Sequence, residues 1–236
     1  MPDLFFASYL LFLLPGWQLW KSLKKKEKKL APDAAKRGAN FVKNLVFIIS
    51  PLVVLAALMA WSGRSVASLG LDIPVSGYGQ WGLASVVLLF VVLTIWTVIA
   101  NCRQSAEKVA ADLAKYQALA SIPQSRGELW QQIFLIACMG IGWELLYRGF
   151  LMLVLPPVTG MTGAVVLTAL AYGIAHGYQS RNQFMGSIFS AFLFTLGYVF
   201  TQSLWWLMLL HVCLPLFGIV TAYIALNRTP VTTASA

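Results

Sequence analysis

Residues 130–155 read WQQIFLIACMGIGWELLYRGFLMLVL. The run is continuously apolar, and a membrane-spanning helix needs about 20 such residues. At about 1.5 Å per residue this one crosses with tilt and protrudes. Inside it stand one carboxylate and one guanidinium, Glu144 and Arg148. Their i, i+4 spacing puts them on one helix face, within reach of an ion pair.

Further apolar runs lie on both sides, at 4–20, 44–61, 81–100, 161–177, 184–200 and 204–226. The predicted fold class is an all-α membrane protein, a polytopic helical bundle with about seven transmembrane helices. A membrane β-barrel would alternate apolar and polar residues along short strands, and these runs do not. Composition agrees: 59% of residues are hydrophobic, 11% are charged, and mean hydropathy is +0.75. A soluble domain carries far more charge.

The connectors fix a predicted orientation. Nine of the 17 Lys and Arg residues fall between Lys21 and Lys43. The segments 101–128 and 178–183 carry basic residues as well, as does the C-terminal tail at Arg228, whereas 62–80 holds Arg64 alone. Basic loops stay cytoplasmic. The N-terminus is therefore expected outside, and the basic loops and the C-terminus inside. Asp3 precedes the first run and the lysines follow it, the reverse of a cleaved signal peptide. The basic run suits anionic lipid headgroups. No aromatic residues interleave KSLKKKEKK, so no nucleic-acid partner is predicted. Residues 105–120 (SAEKVAADLAKYQALA) read as an amphipathic surface helix, and Pro156, Pro157 and Gly160 as a tight turn. Cys102, Cys138 and Cys213 show no pairing pattern, so neither a disulfide framework nor a thiolate metal site is expected.

Ionisable groups inside spans are expensive, about 2.5–3.5 kcal/mol each for Asp, Lys or Arg at a helix centre. The chain places few there: Glu144, Arg148, His176 in AYGIAHG, and His211 in SLWWLMLLH. The two histidines are the only ones in the protein. A Glu and two His on three separate helices are cheapest if they converge on one wet cavity. Such a set can activate water for hydrolysis, or hold Zn²⁺ with one open position. No HExxH motif is present, so zinc is disfavoured and no cofactor is expected. Arg148 is permanently charged and a poor acid or base, which suits it to neutralising Glu144. A transporter would also bury polar groups, but no internal repeat or pair of broken helices is visible.

At these residues the chain resembles the CPBP family, the CAAX protease and bacteriocin-processing (Abi-type) intramembrane endopeptidases. That family has the motifs EExxxR, FxxxH and HxxxN on separate helices. Here residues 143–148 read WELLYR followed by Gly149, residues 172–176 read YGIAH, and residues 211–215 read HVCLP. The resemblance covers roughly residues 125–220. It implies a catalytic core over 121–227, preceded over 1–120 by N-terminal helices and the basic loop, within one integral membrane domain. It implies hydrolysis of peptide bonds in membrane-associated proteins or peptides, in the plasma membrane of a prokaryote. Glu144 and His176 would polarise the attacking water, His211 would donate to the oxyanion, and Arg148 would orient Glu144. Tyr172 takes the place of the motif Phe. Trp143 stands where the family has its first Glu, and Pro215 where it has Asn. The alternative is a catalytically inactive member that binds or regulates a membrane partner.

The orientation has a direct check. A fluorescent reporter fused after Arg228 should be active in the cytoplasm. One inserted between Ser62 and Gln80 should be reached by membrane-impermeant reagents. The opposite pair of results would reverse the topology.

Overall fold

The structure is a computed structural model, and it describes residues 1–24, 34–103 and 122–227. The described residues form helices joined by short turns, without strands. Helix α1 (Pro2–Ser8) passes through a π-helical turn (Tyr9–Leu13) into α2 (Leu14–Lys24). Then come α3 (Ala34–Trp61), α4 (Gly77–Cys102) and α5 (Arg126–Glu144). A second π-helical segment (Leu145–Leu151) joins α5 to the short α6 (Met152–Val154). The chain ends in α7 (Pro156–Ala175), α8 (Arg181–Thr201) and α9 (Trp205–Asn227).

Six of these stretches are long and apolar enough to cross a membrane: 37–61, 77–100, 126–154, 156–175, 181–201 and 205–227. The expected seventh, at 4–20, is helical but is not among them. Its apolar core is flanked by Asp3 at one end and by Gln18, Lys21 and Lys24 at the other. It nevertheless packs into the bundle, against α7 and the second π segment. Apolar side chains such as Val87, Leu88, Val92 and Ile95 on α4 are exposed, as lipid-facing residues are. Exposed Trp61 and Trp81 mark one end of the bundle, and Trp20 and Trp130 the other, the positions that indoles favour at membrane interfaces.

Local chemistry explains the helix ends. Ser76, Ser125 and Ser180 each accept a backbone N–H three residues on, at 3.0–3.2 Å, which satisfies a donor that the first turn leaves free. Glu128 returns to the Gln124 N–H at 2.8 Å, a capping-box-like pair. Helix α7 ends at His176 because Gly177 takes φ 72°, the left-handed conformation that closes helices.

The predicted tight turn at 156–160 takes a different form. Pro156 starts α7 directly, since proline fits the first helical turn. The break falls at Gly160 (φ 72°, ψ 166°) instead. The basic stretch predicted as loop is helical from Ala34 onward. The predicted surface helix at 105–120, together with residues 25–33 and the tail from Arg228, lies outside the described residues.

Small residues let the site-bearing helices approach. A Cβ on Gly173 would lie 2.8 Å from the Ile188 Cα, where α7 crosses α8. One on Gly140 would lie 2.8 Å from Val212 Cγ2 and 3.3 Å from the His211 carbonyl carbon. In lipid, close backbone packing of this kind holds helices together. Gly173→Ala should therefore destabilise the bundle by about 1–3 kcal/mol, an overpacking effect. Gly186→Ala, whose Cβ meets nothing within 4 Å, should be nearly neutral. Unfolding in mixed micelles compares the two, and equal stability would show that the α7–α8 crossing is looser than described.

Candidate active site

The site is assembled from α5, α7, α8 and α9. Glu144 and Arg148 are 1% and 0% exposed, and Arg148 Nη1 donates to Glu144 Oε1 at 2.9 Å. They straddle the start of the π segment, which is a frequent device at functional sites. The guanidinium is held on further sides. Its Nε donates to Thr195 Oγ1 at 3.3 Å and its Nη2 to the Ala191 carbonyl at 3.4 Å. Its Cζ lies 3.7 Å from the centre of the Tyr172 ring, a desolvated cation–π contact. Thr195 in turn donates to the Ala191 carbonyl at 2.7 Å.

Glu144 Oε1 is a shared acceptor. His211 Nδ1 lies 2.9 Å from it and the Tyr172 hydroxyl 3.4 Å from it. The same hydroxyl lies 2.8 Å from His211 Nδ1. Glu144 Oε2 is buried and meets no donor among the described residues. His176 Nδ1 lies 3.0 Å from the Tyr172 carbonyl oxygen one turn earlier. Its ring stacks against that of His211, with centroids 6.2 Å apart and planes 20° apart.

A cavity of about 280 Å³ opens beside these groups, lined by Gln18, Met139, Trp143, Tyr172, Ala175, His176 and His211. The structure thus brings Glu144, Arg148, Tyr172, His176 and His211 into one cluster. It does not put Glu144 in the cavity wall. That wall position belongs to Trp143, whose indole packs against Phe47 and Tyr147. Pro215 is exposed and lines no part of the cavity. Among the described residues no three His, Cys, Asp or Glu side chains gather as metal ligands.

Two contributors were not singled out from the sequence. Gln18 reaches the cavity from the N-terminal helix, and its only signal is an amide inside an apolar run. Thr195 anchors Arg148, but a threonine in an apolar helix carries no distinguishing pattern. Tyr172, expected as a supporting residue in place of the motif Phe, brings a hydroxyl that touches both Glu144 and His211.

This arrangement defines a helical integral membrane protein with a buried carboxylate–imidazole–phenol cluster beside a cavity. Residues 125–225 match the family described as type II CAAX prenyl endopeptidase, Rce1-like. The matched segment spans α5 to α8 and nearly all of α9, and it includes the three motif positions. By its description, the family matched is one of prenyl endopeptidases. No curated protein and no solved structure matches the chain.

Removing one partner of a buried ion pair strands the other, at a cost of about 3–5 kcal/mol. Arg148→Met should therefore destabilise the protein by that order, because the Glu144 carboxylate loses its charged partner. The double variant Glu144→Gln/Arg148→Met should recover much of the loss. Unfolding in mixed micelles measures both. A single variant as stable as wild type would show that the pair is not the anchor of the cluster.

Proposed function

We propose that the protein is an intramembrane endopeptidase that hydrolyses peptide bonds of membrane-associated proteins or peptides with water bound in the Trp143–His176–His211 cavity. The observation that supports this reading best is convergence. Three motifs separated along the chain meet at hydrogen-bond distance beside one cavity. Burying a Glu and an Arg in a bundle this apolar, with two His beside them, is costly, and in membrane proteins such groups mark working sites.

Position supports the reading too. His176 caps the end of α7, and the next residues dock on the basic end of the N-terminal helix, where the Tyr178 N–H donates to Ser22 Oγ at 2.7 Å. Lys21, Lys24 and Arg181 lie at that end. By the positive-inside rule it faces the cytoplasm, so substrate would enter from the cytoplasmic boundary of the bilayer. Lipids surround the remaining faces. No metal or other cofactor has a role in this scheme.

A second reading has one specific observation behind it. Trp143 occupies the cavity wall where a motif carboxylate would stand, which suits a binding or regulatory member of the family without turnover. Activity separates the two. In proteoliposomes, the wild-type protein should cleave a farnesylated peptide ending in a CAAX sequence. His176→Ala and His211→Ala should each lower turnover by about 10²–10⁴-fold, the usual worth of a positioned acid or base, while still inserting. Wild-type protein that binds the peptide without cleaving it would establish the second reading.

A further inference from the structure

The hydrogen bonds of the two histidines determine where their protons sit. A carbonyl oxygen and an ionised carboxylate can only accept. Arg148 is fully buried and permanently charged, and a neutral Glu144 would leave that charge unpaired, so Glu144 is the anion of the pair. His211 Nδ1, 2.9 Å from Glu144 Oε1, must then carry its proton. His176 Nδ1 must carry one as well, because it faces the Tyr172 carbonyl oxygen at 3.0 Å. In each neutral ring the proton on Nδ1 leaves Nε2 without one, as an acceptor; the Tyr172 hydroxyl lies 3.4 Å from that atom of His211, farther than from Nδ1. Both rings line the cavity. The Tyr172 hydroxyl oxygen, 2.8 Å from His211 Nδ1, can accept a share of that proton while its own hydrogen turns towards Glu144 Oε1.

Resting on the endopeptidase reading, we propose that His211 is the general base of this protein, through Nε2, and that Glu144 is a positioning residue acting from behind the cavity wall. This differs from the motif-based expectation on two counts. The carboxylate that would meet water is replaced by Trp143, and Glu144 is 1% exposed and lines no part of the cavity. His211 cannot donate to an oxyanion from Nε2 until it has first taken a proton there. The side chain of His211 is 27% exposed, which gives water access to it.

Nε2 takes a proton from water as the water oxygen bonds to the peptide carbonyl carbon, and the carbonyl electron pair moves onto its oxygen. The imidazolium is held between Nδ1–H and the Glu144 carboxylate. When the carbonyl re-forms, the C–N bond breaks and the Nε2 proton passes to the departing amine nitrogen. No further reactant is consumed. Glu144 touches neither substrate nor water. It fixes the tautomer and stabilises the imidazolium, the function of the orienting carboxylate in carboxylate–histidine pairs generally.

Two histidines in the whole chain make the test simple. Protein labelled with ¹⁵N-histidine, in lipid nanodiscs, should show Nδ1 protonated and Nε2 bare in both rings, with His176→Gln assigning the signals. Glu144→Gln should redistribute the His211 proton and leave His176 unchanged. On the farnesylated CAAX peptide it should lower kcat by about 10³–10⁴-fold with little change in KM. His211→Gln, which leaves the Glu144–Arg148 pair intact, should lower kcat at least as much. A His211 ring protonated on Nε2 in protein that cleaves the peptide would overturn the proposal and leave the endopeptidase reading standing. Nδ1-protonated rings in protein that never cleaves would uphold the proton placement and overturn the endopeptidase reading.

Discussion

The ion pair between Glu144 and Arg148, at 2.9 Å and essentially without exposure, is the constraint on which the rest of the site depends. Two charges in so apolar a bundle are tolerable only if each finds close partners. Arg148 finds them on two other elements: the Tyr172 ring on α7, and Thr195 and the Ala191 carbonyl on α8. Glu144 finds His211 on α9. One buried pair therefore ties together four segments that are far apart in sequence. The close crossings at Gly140 and Gly173 let those segments come near enough. Without the pair, the His211 ring and the Tyr172 hydroxyl would keep only their polar contact with each other, at 2.8 Å.

The π-helical segment is the local device that makes this work. A regular α-helix through Leu145–Leu151 would change the angular position of every residue after Glu144 relative to those before it. The N-terminal helix carries a π turn of its own, and the two segments meet where Tyr147 donates to the Leu10 carbonyl at 3.0 Å. That contact binds the first helix to the motif helix and, further along, brings Gln18 to the cavity. The N-terminal helix is thus part of the site wall, even though it lies outside the matched segment and is not among the six long apolar spans.

Much of this was legible in the sequence. Continuous apolar runs and uneven basic charge gave the helical membrane fold, and rare ionisable residues in those runs marked the cluster. The i, i+4 spacing of Glu144 and Arg148 foretold their pairing. What stayed hidden has physical reasons. A π turn leaves no periodicity signature, so the sequence could not show which side of α5 Glu144 would present. Short motifs place Trp143 and Glu144 next to each other, and only packing decides that the indole lines the cavity while the carboxylate sits behind it. Gln18 and Thr195 contribute through tertiary position alone. The break at Gly160 rather than at the two prolines reflects proline's fit to a first helical turn.

The central claim is that peptide hydrolysis takes place against the His211 imidazole in the cavity bounded by Trp143, Tyr172 and His176. An experimental structure with a farnesylated peptide phosphonamidate, a mimic of the tetrahedral intermediate, tests it most directly. The account predicts a phosphonyl oxygen within hydrogen-bond distance of His211 Nε2, with Glu144 still paired to Nδ1 and untouched by the ligand. A phosphonyl group seated elsewhere, or held directly by the Glu144 carboxyl with His211 turned away, would contradict it.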